Sequence, residues 1–498
     1  MNRKIASRTL VCFVLSIFYL TTAVMAQDAD LTSLVKGLQK QMSDLQAMVS
    51  AQKAEIQELK AKGAQIQMAP RGVEATPPMS EAEFKQRLGD ATGGADKWLK
   101  DLKFSGDLRL RYEAFHLNGN TAATTSEPDR NRFRFRLRYG FEKKFNDEMK
   151  VGFSMASGEK MDSTGYNIDP VSTNQSLNND FNFKNIWIEK AYATYTPDWS
   201  KVSLSDGLRS DGIEITAGKF NNPFEKGSID MIWDRDLKPE GVYEKIEGLL
   251  LKTENLRLKT YGILGQFVLK ESGTTGTKDA NLFAYQSGLN PVFYVPGLDR
   301  PVDALSAISV YNYQNYARAA NWYIDGASQA NGNPSYDANI LSARNFNILG
   351  FYQEINFYPH GIPVKPFAEF ARNMSNHSGL SAATPNNSMQ GGEDAWSLGL
   401  AVGKLQKKGD WQASYQYKYI GANSVVGAFN DSDFGGYNYG GTDKAGSVIK
   451  LGYNLTNYLM LNGACFLVRP ITQRDTTTNG MQPDQSVTRF QMDMTWKF

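Results

Sequence analysis

The chain has 498 residues and a nearly balanced charge, with 54 Lys and Arg against 52 Asp and Glu. A formal net charge of +2 gives no reason to expect a nucleic-acid partner. The composition includes 27 Phe and 24 Tyr in an otherwise polar chain, which is typical of membrane barrels in which only alternate residues need to be apolar.

The N-terminus has the pattern of an export signal. Three basic residues precede an apolar run at residues 10–20, and small residues around Ala26 offer a cleavage site. The run is well short of the ~20 residues that span a bilayer, so cleavage is favoured over a permanent anchor. We therefore expect residues 1–26 to be a signal peptide. Cys12 lies within it and leaves Cys465 alone, which excludes an intramolecular disulfide and a Cys-cluster metal site.

A seven-residue repeat follows the signal. Its apolar positions lie on one narrow face: Leu31, Val35, Leu38, Met42, Leu45, Val49, Ile56, Leu59 and Ile66. This spacing predicts a periplasmic α-helical coiled coil within residues 27–68, and so self-association. The alternative is a single amphipathic helix packed on a neighbouring domain. Prolines then predict a linker over residues 69–103, with one short helix inside it.

From residue 104 onward the periodicity becomes two, which indicates β-strands. On the second predicted strand Phe133 and Phe135 alternate with arginines. The arginines of the first two strands form what we call the arginine ladder: Arg109, Arg111, Arg132, Arg134, Arg136 and Arg138. Each arginine on a lipid-facing surface near mid-membrane would cost about 2–4 kcal/mol. The ladder is therefore predicted to line a water-filled lumen.

Similar alternation predicts about sixteen strands between residues 104 and 498. Short connections alternate with long polar ones, as in bacterial outer-membrane barrels with short periplasmic turns and long extracellular loops. The last strand, residues 486–498, has one apolar face that includes Trp496 and Phe498. The predicted fold is an all-β transmembrane antiparallel barrel, with Trp496 and Phe498 as its assembly signal. Residues 187–190 carry a charge in both alternating sets, so their facing stays open.

Four segments resemble the Gram-negative "putative porin" family. They are FSGDLRLRYE at 104–113, DRNRFRFRLR at 129–138, AGKFNNPF at 217–224 and IWDRDLKPEG at 232–241. The resemblance extends over essentially the whole mature chain. The family is itself distantly similar to phosphate-selective porins. It implies passive diffusion of small hydrophilic solutes through a trimeric barrel in the outer membrane, and it names no substrate.

The natural candidate for a constriction is the segment 220–241, because its apolar residues could fold it inward against the barrel wall. The segment also carries charged residues, among them Lys238 and Glu240. Seven charged residues, one of which precedes the segment, are the candidate constriction set: Lys219, Glu225, Lys226, Asp230, Asp234, Arg235 and Asp236. The alternative is an ordinary extracellular loop. A second loop around Asp431 and Asp433 lacks the acidic residue that would close a calcium loop, and is expected to be flexible.

The neighbouring arginines of the ladder repel one another, and something must offset that repulsion. One source is carboxylates, with Asp107, Glu113 and Glu142 nearby. The other is anions from solution, which would produce a modest anion preference. The sequence leaves both open.

No residue is predicted to be catalytic or to bind a cofactor or a metal, and the protein is not expected to be an enzyme. The three histidines, His116, His360 and His377, lack the neighbours of a hydrolase or metal site. Two alternatives to a porin remain. The barrel could anchor a coiled-coil tether that reaches the cell wall, or it could be the barrel subunit of a multi-protein conduit.

Overall fold

The computed structural model describes residues 101–118, 130–159, 170–178, 180–224, 230–271, 278–316, 346–375, 392–435, 441–471 and 486–498. The predicted signal peptide, coiled coil and most of the linker lie outside these residues, as does His377. The strands of the described chain are β1 Leu102–Asn118, β2 Arg130–Lys144, β3 Met149–Ser157, β4 Gln175–Ser176, β5 Ile186–Tyr195, β6 Lys201–Ser205, β7 Leu208–Lys219, β8 Glu240–Lys252, β9 Leu256–Lys270, β10 Ala280–Phe293, β11 Val302–Gln314, β12 Phe346–Asn356, β13 Val364–Asn373, β14 Asp394–Gly403, β15 Trp411–Ile420, β16 Lys444–Asn454, β17 Leu459–Pro470 and β18 Ser486–Lys497.

These strands form one closed antiparallel barrel. Each wall strand pairs with its neighbours in chain order, and β1 pairs with both β2 and β18, which closes the ring. Sixteen strands make the wall. The other two, β4 and β6, are short strands that pair with β2 and β7. The prediction of about sixteen antiparallel strands is therefore confirmed.

The two faces of the wall separate as the alternation predicted. On β1 and β2 the apolar residues Phe104 and Phe133 are 71% and 61% exposed. On β18 Met492 is exposed, whereas its neighbours Arg489 and Gln491 are buried. This pattern suits an outer face against lipid and a polar inner face. Among the described residues, no helix is both long and apolar enough to cross a bilayer.

The connections at the two rims of the ring differ in typical length. Those at one rim, called here the turn end, are 3 to 12 residues long: 145–148, 196–207, 253–255, 294–301, 357–363, 404–410 and 455–458. The opposite strand ends form the other rim, called the loop end, and the segments that join them in sequence are 9 to 31 residues long. His360 lies in one of the short turns with a positive φ of 50°.

A β-bulge settles the facing of residues 187–190. Ser154 of β3 pairs with Lys190 and Met155 pairs with Ile188, so Glu189 is the extra residue between them. Ile188 is exposed on the outer face, and Glu189 is buried and accepts a hydrogen bond from Ser154 Oγ at 2.8 Å. A bulge locally breaks the alternation of inward-facing and outward-facing residues. This explains why each of the two alternating sets within residues 187–190 contains a charged residue.

The C-terminal residue completes the closure. The backbone N–H of Gly106 donates to the carbonyl of Phe498 at 2.8 Å, and the N–H of Phe498 donates back at 3.1 Å. A Cβ on Gly106 would lie 2.6 Å from the Phe498 ring and 2.5 Å from the Arg138 carbonyl oxygen. Glycine at position 106 therefore lets the terminal ring lie directly on β1.

We expect deletion of Phe498 to reduce the amount of barrel in the outer membrane and to leave protein in the periplasm. The deletion removes backbone hydrogen bonds at the closing edge, where no water is available to replace them in the bilayer. The measurement is fractionation and immunoblotting of envelope proteins. Phe145→Ala is the control, because Phe145 is a 60% exposed aromatic residue in the β2–β3 turn, away from the closing edge. Normal assembly of the deletion would contradict this role.

Candidate pore constriction

In the segment between β7 and β8, the described residues 220–224 and 230–239 fold into the barrel and are called here the first inward loop. Its side chains Phe224, Met231, Ile232 and Trp233 are at most 2% exposed. Trp233 Nε1 donates a hydrogen bond to the hydroxyl of Tyr313 on β11 at 3.0 Å. Burial of these large apolar side chains holds the loop away from solvent.

Contacts on both sides show that this loop crosses the lumen. At one side the ring of Phe224 packs on that of Tyr311 of β11, with centroids 5.6 Å apart. At the other side Asp236 lies 3.1 Å from Arg138 and 3.6 Å from Arg136, both on β2. Strands β2 and β11 lie on nearly opposite sides of the ring. The described residues of the loop therefore extend across the lumen and contact the wall on both sides.

Between β15 and β16, the described residues 421–435 and 441–443 also fold inward and are called here the second inward loop. Val425, Val426 and Phe434 are at most 1% exposed. Asp431 is buried and forms an ion pair with Lys418 of β15 at 2.8 Å. The prediction of a flexible loop around Asp431 and Asp433 was wrong, because charge pairing and apolar packing hold this segment in the barrel.

The two inward loops are joined by backbone hydrogen bonds. The N–H of Asp234 donates to the carbonyl of Phe429 at 2.7 Å, and the N–H of Asp431 donates to the carbonyl of Asp230 at 3.1 Å. The N–H of Ser432 also donates to Asp234 Oδ2 at 3.3 Å. The loops thus form one connected partition across the lumen.

The arginine ladder lies along β1 and β2 on the inner face, where most of its members are paired with carboxylates of the same wall. Arg136 and Arg138 each bond Asp107, at 2.8 and 2.7 Å. Arg111 bonds Asp493 of β18 at 2.7 Å, and Arg132 bonds Glu113. A further arginine that the ladder prediction missed, Arg489 of β18, also bonds Glu113. Arg489 is one of the polar residues that alternate with apolar residues along the last strand. The sequence was therefore sufficient to predict that its side chain faces the lumen.

The loops contribute further carboxylates to the same wall. Asp433 of the second inward loop lies 2.7 Å from Arg489 and 3.1 Å from Arg111. Burial disfavours its charge, but Arg489 and Arg111 outweigh that effect and hold the pKa of Asp433 well below its usual range. Asp236 of the first inward loop is stabilised as an anion in the same way by Arg136 and Arg138, which lower its pKa despite burial.

The remaining candidate residues are placed differently. Lys219 is the last residue of β7 and bonds Glu240 of β8 at 2.7 Å, at the edge of the loop. Arg235 lies 3.2 Å from Asp230, with its side chain 64% exposed. Glu225 and Lys226 lie outside the described residues. Glu142, expected to compensate the ladder, instead accepts a hydrogen bond from Tyr192 and lies 3.5 Å from Lys150.

Toward the turn end two cavities have charged side chains among their lining residues. In one of about 630 Å³ these are Asp107, Arg109, Arg138, Glu189, Lys238 and Lys497, beside aromatic residues such as Phe141 and Phe498. In another of about 570 Å³ they include Arg209, Arg235, Glu247, Asp303, Glu354 and Lys365. The charged groups in both linings can contact water and hydrated solutes. In the described part of the chain, no group of three or more His, Cys, Asp or Glu side chains is arranged to hold a metal ion.

The sequence matches the family described as "Putative porin" over residues 86–339 and 341–498, and the chain belongs to that family. It is an outer-membrane β-barrel of the porin class and, as predicted, not an enzyme. No curated protein gives a significant match to the sequence.

Several solved structures have a similar fold. Pseudomonas putida OprB at high pH is 13% identical, with a TM-score of 0.42 over 83% of this chain and 97% of that one. Salmonella typhi OmpF in complex with daunomycin is 8% identical, with a TM-score of 0.41 over 80% and 97%. The outer membrane channel DcaP of Acinetobacter baumannii is 13% identical, with a TM-score of 0.36 over 80% and 97%. Because these identities and TM-scores are low, only the family match bears on function.

We expect Trp233→Ala to loosen the first inward loop and to raise single-channel conductance, with noisier current. Truncating a buried tryptophan typically costs roughly 3–5 kcal/mol, and here it also removes the hydrogen bond to Tyr313. Planar-bilayer recording measures the effect. Trp199→Ala is the matched control, because Trp199 is 67% exposed in the β5–β7 turn. An unchanged conductance in Trp233→Ala would mean that this loop does not limit the current.

The junction of the two loops should also respond to pH. Burial raises the pKa of Asp234 well above its usual value, and so do the neighbouring carboxylates of Asp236, Asp431 and Asp230. Because the pKa of Asp234 is raised in the folded state, its protonated carboxyl contributes fully to the stability of the junction at pH values below the ordinary aspartate pKa. That contribution is lost as the pH rises through the raised pKa. We therefore expect conductance to increase with rising pH as the junction loosens.

Asp234→Asn should keep conductance at its low-pH level throughout, because the amide stays neutral and its oxygen can still accept from the N–H of Asp236. Recordings between pH 4 and pH 8 compare it with wild type and with Asp303→Asn, a control in the cavity at the turn end. A pH response that persists in Asp234→Asn would show that another group controls it.

Proposed function

We propose that this protein forms a water-filled channel through which small hydrophilic solutes diffuse passively across the outer membrane. The observation that carries the proposal is the partition formed by two inward loops in a sixteen-stranded barrel. A barrel of sixteen strands encloses a lumen too wide for wall side chains to fill. A porin must therefore narrow that lumen by other means, and pore width and lining charge then set which solutes pass.

In this proposal the constriction lies where the inward loops meet the arginine ladder. Asp236 and Asp433 supply negative charge from the loops, and the ladder supplies positive charge from the wall. Carboxylates bond most of the ladder, so any anion preference is modest. It should decrease at high salt, where the Debye length falls to ~3 Å at 1 M.

The N-terminal features complete the proposal. Residues 1–26 would direct export and be removed near Ala26, residues 27–68 would form a periplasmic coiled coil, and residues 69–103 would link it to the barrel at 104–498. The coiled coil would hold barrels together as a homo-oligomer, a trimer by resemblance to the family, or would contact the cell wall. Trp496 and Phe498 would serve as the assembly signal.

A pure anchor is the second candidate, since the coiled coil alone could link envelope layers. The charged cavities favour the channel, because an anchor has no need of a polar lumen. A conduit subunit would depend on cofactors of its partners, as the sequence has no Cys-x-x-Cys-His haem motif.

Liposome swelling with sugars of increasing size tests the channel. The purified protein should admit small sugars and exclude larger ones, whereas an anchor would give no swelling. Two deletions separate the parts. Removing residues 228–234 should raise the size limit. Removing residues 31–66 should leave swelling intact while weakening the oligomer or the association with the cell wall. If the second deletion leaves both unchanged, the coiled coil is not the association element.

A further inference from the structure

Two members of the arginine ladder differ from the others in how their charge is compensated. Arg111, Arg132, Arg136 and Arg138 each have a carboxylate oxygen within 2.8 Å. Among the described residues, the carboxylate oxygens nearest to Arg109 and Arg134 lie at longer distances. Arg109 lies 3.7 Å from Asp493, and Arg134 lies 3.6 Å from Glu159 and 3.8 Å from Glu113.

Two of these three carboxylates are shared with other arginines. Asp493 makes two short hydrogen bonds to Arg111, at 2.7 and 2.8 Å. Glu113 is bonded by Arg132 and Arg489. The third, Glu159, accepts hydrogen bonds from Ser176 and lies 3.6 Å from Arg134. Arg109 and Arg134 are therefore less closely compensated than the other four members of the ladder.

Both guanidinium groups converge on one neutral residue. Arg109 Nη2 donates to the side-chain oxygen of Asn174 at 2.5 Å, and Arg134 Nη2 donates to its backbone carbonyl at 3.3 Å. Asn174 precedes the short strand β4, which pairs with β2 at Arg134. The loop between β3 and β5 thus places a neutral residue against both guanidinium groups, whereas Glu159 of the same loop lies 3.6 Å from Arg134.

Buried hydrogen-bonding capacity remains at this place. Within the described residues, the Nε atoms of Arg109 and Arg134 are buried and have no hydrogen-bond partner. Arg134 is only 8% exposed as a residue. Buried donors without partners are costly, and those on a charged group more so. Arg109 also lines the 630 Å³ cavity, so a solute in the lumen can reach this side of the pair.

We propose that Arg109, Arg134 and Asn174 form a binding site for a small oxyanion, a phosphate or a carboxylate, within the channel. An oxyanion supplies the negative charge that the wall lacks here and offers several acceptor oxygens to planar guanidinium donors. Chloride supplies the charge without that geometry. This inference rests on the proposed channel function and deepens it by naming a solute class.

The test is competition in single-channel recordings of the full-length protein. Inorganic phosphate or acetate is added to a chloride solution at constant ionic strength, so that screening does not change. We expect saturable reduction of the chloride current by at least one of the two, and comparison of phosphate with acetate identifies the preferred class. Current unaffected by either oxyanion would overturn the site and leave the channel intact. No current under any condition would overturn both proposals.

Three variants locate the effect. Arg109→Gln and Arg134→Gln should each weaken oxyanion block about tenfold, equivalent to ~1.4 kcal/mol of binding. Asn174→Asp should abolish block while keeping the acceptor for Arg109, because a built-in carboxylate takes the place of the anion. This variant also tests the site should an arginine variant fail to assemble.

Arg209→Gln is the matched control, with the same charge change in the separate cavity of about 570 Å³ and with Asp211 as its partner. We expect block in this variant to stay within a factor of about two of wild type. Equal loss of block in the control and test variants would mean that overall wall charge, and not this site, attracts the anion. Block retained in Asn174→Asp would likewise overturn the assignment.

Discussion

Hydrogen-bond satisfaction in a hydrocarbon environment is the constraint on which this structure depends. Within the membrane a strand edge has no water to pair with, so the sheet must close on itself. Pairing of β1 with β18 along residues 107–118 and 486–497 achieves this, and the exchange between Gly106 and Phe498 finishes it. Once the ring is closed with sixteen strands, lumen size follows from strand number. The inward loops and the charged residues of the inner face both occupy that wide interior.

The first response is to fill part of the interior with chain. Two loops return into the barrel and bond to each other through backbone groups near Asp234 and Asp431. Aromatic packing around Trp233 attaches the partition to β11, and Asp236 attaches it to β2. A partition fixed at both sides and joined in the middle behaves as part of the wall, which a porin constriction requires if pore size is to stay constant.

The second response concerns charge. Arginines cannot face lipid at acceptable cost, so they face inward, where they must be compensated in a partly dehydrated lumen. Wall carboxylates compensate some, and loop carboxylates Asp236 and Asp433 compensate others. Charge compensation therefore fixes loop position as much as apolar packing does. Where compensation is incomplete, at Arg109 and Arg134, the same physics attracts an anion from solution.

The sequence by itself determined those features that depend on local alternation. Period-two patterning with long and short connections predicts the sixteen strands, and the cost of a charge in lipid predicts which face Arg134 and Arg136 occupy. The apolar residues of segment 220–241 also justified an inward fold. Membership of the porin family agrees with the predicted barrel.

Only the tertiary structure decided which distant residues meet. Arg489 bonds Glu113 across 376 positions, and Arg111 bonds Asp433 across 322. The alternating pattern predicts that such residues share the inner face of the barrel. It does not predict which residue of another strand or loop each one contacts, because those contacts depend on the strand register around the whole ring. The inward fold of residues 421–435 and the bulge at Glu189 were unreadable for the same reason. Each is stabilised by contacts that exist only after the barrel has closed.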